Sequence, residues 1–80
     1  MPADIRRELG ARLRALRHER GLSQEELAEQ ADLHRNYVGS IERGERDVGI
    51  SSLHRLVTAL GLSLREFFEP FQRHGRTKRP

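Results

Sequence analysis

The side chains of this sequence that could do chemistry gather near its centre, on one side of a short predicted helix. At about 100° per residue, Val38 and Ile41 fall together on one side of that helix. The opposite side carries Arg35, Asn36 and Ser40. Arginine can donate two hydrogen bonds to guanine O6 and N7, asparagine can pair in the same way with adenine, and serine is less selective. We therefore expect these three residues to read base edges in the major groove of double-stranded DNA, although an ordinary solvated face has the same pattern.

Catalytic and metal-binding residues are not expected in the chain. The sequence has no Cys, and its four His residues lack a metal-ligand spacing such as H-x-x-x-H. It contains neither a phosphate-cradling glycine loop nor a nucleophile elbow. His34 and His54 are expected at the surface. We therefore predict no enzyme, no metal and no cofactor.

The net charge of +3 is unevenly distributed along the chain. Residues 1–69 contain 11 Lys or Arg against 12 Asp or Glu, whereas residues 70–80 contain four basic residues and no acid. Bulk charge therefore does not make this chain a DNA binder. We predict a DNA-binding domain over residues 1–69 and a flexible basic C-terminal tail over residues 70–80, which would help binding without selecting a sequence.

The length of 80 residues allows a single domain with a small core. No stretch approaches the ~20 apolar residues of a membrane span, and the N-terminus has no apolar signal core. We expect a soluble cytoplasmic protein with no membrane partner, associated with the nucleoid when bound to DNA.

Five short helices and no strand are predicted, so the fold class is all-α. Ser23 and Ser63 each open a capping box, and glycines stand where three of the helices end. The helices are expected from about Ile5 to Arg20, Ser23 to Gln30, Arg35 to Arg43, Ile50 to Leu60, and from Ser63 until Pro70 ends the last one. The apolar stripes of the first and fourth helices are expected inward and consist of Ile5, Leu9, Leu13, Leu16, Ile50, Leu53, Leu56, Val57 and Leu60.

Residues 23–44, SQEELAEQADLHRNYVGSIERG, follow the helix-turn-helix plan of two short helices joined by a tight turn. The segment resembles the helix-turn-helix of the phage-repressor and Cro family. The matching residues are Ser23, Gln24, Leu27, Ala28, Ala31, Leu33, Val38, Ile41, Glu42, Arg43 and Gly44. The resemblance covers about three quarters of the chain and implies a compact five-helix repressor-like DNA-binding domain, with the helix-turn-helix at helices 2 and 3.

Three residues depart from the family pattern. Asp32 replaces the usual turn glycine, but Asp tolerates a left-handed backbone. His34 stands at the N-cap of the third helix, where Ser or Thr is more usual. Gly39 lies inside that helix, at a cost of roughly 1 kcal/mol relative to Ala. Gly39 either lets the helix lie close to the groove wall of DNA or has a plain packing or neutral explanation, and the sequence leaves these open.

The resemblance also implies roles outside the base-reading residues. By analogy with the family, Gln24 and the region just after helix 3 contact phosphates, which suggests Arg43 and Arg46 with Tyr37 on the flank. Simple solvation of Arg46 is the alternative. The resemblance further implies a structural ion pair between Arg17 and Glu42, against the alternative of two unrelated surface charges.

Two surface clusters remain to be explained. Glu25, Glu26 and Glu29 form an acidic strip on helix 2, which we expect to point away from DNA or towards a protein partner. In the last helix, Leu64, Phe67 and Phe68 share one face, which predicts a dimer interface because a small core has little room for all of them. Closure of the monomer core is the alternative.

These patterns together predict a sequence-specific regulator of transcription that binds a palindromic operator as a homodimer. Small proteins of this kind resemble phage repressors, restriction–modification controller proteins and antitoxins, and residues 34–37 with the short length favour the controller type. The alternative is an antitoxin-like or other protein-interaction module on the same fold, with an unknown protein partner.

Overall fold

The computed structural model of the chain describes residues 4–71 and contains only helices in that range. The elements are α1 (Ile5–Glu19), α2 (Gln24–Ala31), α3 (Arg35–Glu42), α4 (Ile50–Ala59), α5 (Leu64–Phe68) and a 3-10 helix (Glu69–Phe71). The all-α prediction is confirmed, and α1 to α4 end within one residue of their predicted ends. None of the described helices has both the length and the apolar character needed to cross a membrane.

The two predicted capping boxes fix the starts of α2 and α5. The Ser23 hydroxyl accepts from the Glu26 amide at 3.0 Å, and the Glu26 carboxylate accepts from the Ser23 amide at 2.8 Å. Ser63 and Glu66 repeat the arrangement at 3.0 and 2.9 Å. Each box satisfies two backbone N–H groups that have no partner within the helix.

The turn between α2 and α3 keeps its shape despite the two departures from the family pattern. Asp32 adopts φ 60° and ψ 48°, the left-handed conformation that the turn requires. His34 caps α3, since its Nδ1 accepts from the Asn36 amide at 3.0 Å. Asp and His therefore do here what Gly and Ser do elsewhere, and α3 leaves the turn in a fixed direction.

Each of the five α-helices contributes at least one fully buried side chain to the core. They include Leu13, Leu27, Val38, Leu56 and Phe67. Around them lie the other buried apolar residues, which are Leu9, Leu16, Ala28, Ala31, Ile41, Leu53, Val57 and Leu60. The predicted inward stripes are thus correct except at Ile5 and Ile50, which are 54% and 68% exposed. Each is the first residue of its helix, so its turn projects beyond the packed layer.

Helices α1 and α3 meet backbone to backbone at Gly10. A Cβ atom placed there would overlap the carbonyl oxygen of Ile41 and would lie 2.6 Å from that of Glu42. No side chain larger than hydrogen fits this crossing without moving one of the helices. Gly10, which no sequence pattern marked, therefore sets how closely α3 lies against the body of the domain.

The C-terminal aromatic cluster corrects two predictions. Phe67 is fully buried within the monomer, so its assignment to a dimer interface is wrong; Leu64 and Phe68 remain half-buried. Phe71 stacks on Phe67 with 6.2 Å between ring centroids, and the 3-10 helix that carries it includes Pro70. The packed part of the chain therefore passes the predicted boundary at residue 69, and the rest of the predicted tail lies outside the described residues.

Arg12 of α1 and Arg20, the C-cap residue of α1, hold the C-terminal helices in place. Arg12 donates to the carbonyl oxygens of Phe67 and Glu66 at 2.8 and 3.0 Å, and Arg20 donates to that of Leu60 at 2.8 Å. Carbonyls at a helix C-terminus lack partners within the helix, and arginine is well suited to satisfy them. Arg12 therefore has a structural role in the fold.

Candidate nucleic-acid interface

Helix α3 presents opposite sides to the core and to solvent. Val38 and Ile41 are buried against the rest of the domain, while Arg35 and Asn36 at its first turn are exposed. The buried side anchors α3 against rotation about its axis. The guanidinium of Arg35 and the amide of Asn36 therefore stay directed outward, as base contacts would require.

A groove of about 600 Å³ runs between the first turns of α2 and α3. Its lining is predominantly polar and consists of Arg17, Ser23, Gln24, Glu25, Arg35, Asn36, Gly39 and Arg43. Two of the predicted base readers, Arg35 and Asn36, thus share one surface with two of the predicted phosphate contacts, Gln24 and Arg43. The groove is open to solvent and carries hydrogen-bond donors along both of its sides. This shape suits contact with a DNA duplex better than enclosure of a small molecule.

Ser40, the third predicted base reader, lies in a separate cluster with Tyr37 and Arg46. Its hydroxyl donates to the Tyr37 carbonyl oxygen at 2.8 Å and accepts from Arg46 Nε at 3.2 Å. The Arg46 guanidinium also lies 5.4 Å from the centroid of the Tyr37 ring, within cation–π range. Ser40 therefore positions Arg46 in this structure, and its single hydroxyl proton is already used.

Arg17 and Glu42 form a bidentate ion pair between α1 and the end of α3. Arg17 Nε and Nη2 donate to the two carboxylate oxygens of Glu42 at 2.7 and 2.9 Å. The two side chains are only 9% and 2% exposed, and Arg17 also donates to the Leu22 carbonyl oxygen at 2.9 Å. The hydrogen bond to Glu42 raises the pKa of Arg17 above its ordinary value, so the guanidinium stays protonated.

Gln24 extends this ion pair towards the groove. Its Nε2 donates to Glu42 Oε1 at 3.0 Å, which leaves one of its two amide protons for a phosphate. A Cβ at Gly39 would lie 3.3 Å from Gln24 Oε1 and 3.2 Å from Arg43 Nη1, closer than side chains normally pack. Gly39 therefore has a packing role, since it makes room for Gln24 and Arg43 above α3.

Two further arginines of the groove, Arg35 and Arg43, also lie beside carboxylates of the chain. Glu25 Oε1 lies 3.7 Å from Arg35 Nη1, and Glu45 Oε2 accepts from Arg43 Nε at 3.0 Å. The hydrogen bond with Arg43 lowers the pKa of Glu45 and raises that of Arg43. Glu25 therefore faces the groove, whereas the acidic strip was expected to point away from DNA or towards a protein partner. Sequence alone gave no signal for the contact between Glu25 and Arg35, because the two residues are ten positions apart and lie on different helices.

The histidines do not form a metal site within residues 4–71. No group of three or more His, Asp or Glu side chains in this range is arranged to hold a metal ion. His34 instead uses Nδ1 to cap α3, and His18 Nε2 lies 3.3 Å from Arg17 Nη2. The surface that stands out chemically is the polar groove between α2 and α3.

Comparison with known families and proteins adds an independent line of evidence. Residues 8–67 match the model of a family described as the helix-turn-helix domain. Control protein C.MunI from Mycoplasma sp. is 41% identical over 71 residues, covering 88% of this chain and 96% of that protein. Control protein C.SmaI from Serratia marcescens is 48% identical over 61 residues, covering 76% of this chain and 73% of that protein.

A solved structure gives the same result for the fold. The crystal structure of the restriction–modification controller protein C.AhdI from Aeromonas hydrophila superposes with a TM-score of 0.79 at 45% sequence identity. The match covers 82% of this chain and all of that one. The likeness therefore extends over the whole helical domain rather than the two helices of the motif alone.

Proposed function

This chain belongs to the helix-turn-helix domain family and is a DNA-binding regulator, and we propose that it binds a palindromic duplex operator as a homodimer, with α3 of each subunit in the major groove. The prediction that it is not an enzyme is confirmed by its family. Occupancy of the operator by the helix-turn-helix domain of residues 8–67 is the proposed means of regulation.

The observation that carries the proposal is the outward placement of Arg35 and Asn36 on an anchored helix. Both are exposed at the first turn of α3, whose opposite side is buried. Arginine matches the two acceptors of guanine, and asparagine matches the acceptor and donor of adenine. These residues are the proposed base readers, and Ser40 acts with them by positioning Arg46 at the edge of the same surface.

Phosphate contacts are proposed around the base readers. Gln24 begins α2, where free backbone N–H groups and the helix dipole also favour an anion. Arg43 lies in the groove with Gln24, whereas Arg46 and the Tyr37 ring form a cluster outside it. Contacts of this kind fix the register of a protein on the duplex without reading its sequence.

The homodimer is proposed to form through the partly buried face at the C-terminal end. Leu64, Phe68 and Phe71 pack on the core yet keep apolar surface in solvent. A symmetric pairing of this face would bury that surface, and operator binding requires the two α3 helices about 34 Å apart, one turn of DNA. Phe67 is buried beneath this face and makes no contact with the second subunit of the proposed dimer.

A restriction–modification controller is the proposed biological class. Relatives named as control proteins match most of this chain and most of their own length, whereas several other regulators match over about a third of theirs. An antitoxin-like interaction module on the same fold is the competing class. It predicts a protein partner and no preferred duplex.

Selection of bound sites from a pool of random duplex DNA tests the function directly. A palindromic sequence should be enriched, and its affinity should fall steeply with salt because phosphate contacts release counterions. Arg35→Ala should lose about 1–3 kcal/mol of discrimination per half-site, while Arg14→Ala, at an exposed arginine outside the groove, should not. No enriched sequence, or affinity insensitive to salt, would favour the interaction module.

A further inference from the structure

The base reader Arg35 is accompanied by a carboxylate from the preceding helix. Glu25 Oε1 lies 3.7 Å from Arg35 Nη1, and the two side chains are 73% and 61% exposed. Both line the groove between α2 and α3. An acidic side chain at a DNA-facing surface weakens binding to every duplex. It contributes to specificity only if it weakens binding to incorrect duplexes more than binding to the correct one.

We propose that Glu25 is a specificity-determining residue that acts through Arg35. It holds the guanidinium in the orientation that reads guanine, and it opposes transfer of that guanidinium to a phosphate. The inference rests on the proposed function, because it requires that Arg35 reads a base.

The geometry of the guanidinium allows Glu25 and guanine to be bound together. A guanidinium carries five N–H donors, and the contact of Arg35 with the Glu25 carboxylate is made through Nη1, at 3.7 Å. The other donors remain available for guanine O6 and N7. In the specific complex Arg35 therefore bridges Glu25 and the base, and the carboxylate limits the rotation of a long side chain that would otherwise be mobile.

On a duplex of the wrong sequence the same carboxylate acts against binding. An unrestrained arginine gains from any phosphate, and phosphate contacts supply nearly all non-specific affinity. To reach a phosphate, Arg35 must leave Glu25, which then lies unpaired near the negative backbone. Glu25 therefore weakens non-operator binding more than operator binding, and this difference is specificity.

Glu29 provides the matched control for charge. It lies one turn further along α2, it is exposed, and it forms no salt bridge within residues 4–71. Glu29→Gln removes the same charge from the same helix as Glu25→Gln. An effect of net charge alone would therefore appear equally in both variants.

The experiment measures the affinity of the full-length chain for the selected operator and for a scrambled duplex of equal length and composition, over a range of salt concentrations. Glu25→Gln should tighten binding to the scrambled duplex and lower the ratio of operator to scrambled affinity about two- to fivefold, the range set by an exposed ion pair. The salt slope on scrambled DNA should steepen by about 0.9 per subunit, because Arg35 gains a phosphate contact. Glu29→Gln should leave the ratio unchanged.

A second background separates positioning from structure. In Arg35→Gln, the further change Glu25→Gln should not alter the ratio, since Glu25 acts only through the guanidinium. Equal changes in both affinities, or a change in the ratio that persists without Arg35, would overturn the inference. A wild-type chain that prefers no duplex at all would instead overturn the proposed function, and the inference would fall with it.

Discussion

The guanidinium of Arg17 donates two hydrogen bonds to the carboxylate of Glu42, and this buried pair joins α1 to the last turn of α3. Gln24 adds a third hydrogen bond to the same carboxylate from α2. All three helices that shape the groove therefore converge on Glu42. The carboxylate of Glu42 therefore ties α3 to both α1 and α2.

Removal of the acceptor charge should destabilise the whole domain. Glu42→Gln leaves the buried guanidinium of Arg17 without its counter-ion, and breaking a buried pair in this way costs about 3–5 kcal/mol. A core of this size supplies only about that much stability in total. We therefore expect Glu42→Gln to be largely unfolded at 25 °C in circular dichroism and urea titration.

Two variants test whether burial is the cause. Glu19→Gln breaks an exposed pair with Arg20 and should change the free energy of unfolding by less than about 1 kcal/mol. Arg17→Met combined with Glu42→Leu removes both charges and should be more stable than Glu42→Gln alone. A Glu42→Gln protein that unfolds like the wild type would show that the pair does not hold α3.

A single methyl group added at the crossing of α1 and α3 should also destabilise the domain. Alanine is normally preferred over glycine inside a helix by about 1 kcal/mol, but a Cβ at Gly10 overlaps the Ile41 carbonyl oxygen. Gly10→Ala should therefore destabilise the domain by about 1–3 kcal/mol and weaken operator binding as α3 is displaced. Urea titration and DNA affinity measure the two effects.

Gly49→Ala is the control for this substitution. Gly49 precedes α4 with φ −70°, and a Cβ atom placed there would have no neighbouring atom within 4 Å, so Ala fits without strain. Its free energy of unfolding should stay within about 0.5 kcal/mol of wild type. If Gly10→Ala proved as stable as Gly49→Ala, the helices would have room to separate and Gly10 would not set their distance.

The sequence predicted what depends on local chemistry. Capping boxes and turn residues act within four positions of one another, so the ends of the helices could be read directly, while the family resemblance implied the left-handed turn at Asp32. The exposure of Ile50 could not, because helical periodicity gives the direction of a side chain but not how far the neighbouring helices extend.

The same limit explains the errors and omissions at the site. A five-residue helix places Phe67 and Phe68 side by side, and only the packed structure shows that Phe67 points into the core. The contact of Glu25 with Arg35 joins two helices across a turn. The outward set of Arg35 and Asn36 was predictable, since it follows from the phase of one helix, whereas their charged neighbours depend on tertiary structure.

The pair of Arg43 and Glu45 should be visible in a titration. The hydrogen bond from Arg43 lowers the pKa of Glu45 below its usual value. Because the pKa of the carboxyl is lowered, the pair stabilises the folded state at neutral pH. This stabilisation is lost as the pH falls through the lowered pKa. The carboxyl carbon shift of Glu45, followed by NMR, should therefore titrate at lower pH than an ordinary Glu.

Arg43→Met isolates the cause of that shift. Without the guanidinium, the Glu45 titration should return towards the ordinary range, while Arg46→Met should leave it low because no hydrogen bond joins Arg46 to Glu45 among the described contacts. An unshifted Glu45 in the wild-type chain would mean that the pair is not formed in solution.

Substitutions of the neighbouring residues Phe67 and Phe68 should affect different properties, the stability of the domain for Phe67 and the dimer for Phe68. Phe67 is fully buried, so Phe67→Ala leaves a cavity and should cost about 3–5 kcal/mol, enough to unfold the domain. Phe68 is only half-buried, and its exposed edge belongs to the proposed dimer face. Phe68→Ser should therefore give a folded monomer by sedimentation equilibrium, with intact helical content.

Such a monomer should bind a single half-site weakly and lose the tight binding that a palindrome gives to two linked α3 helices. A Phe68→Ser protein that remains dimeric would place the interface elsewhere on the domain.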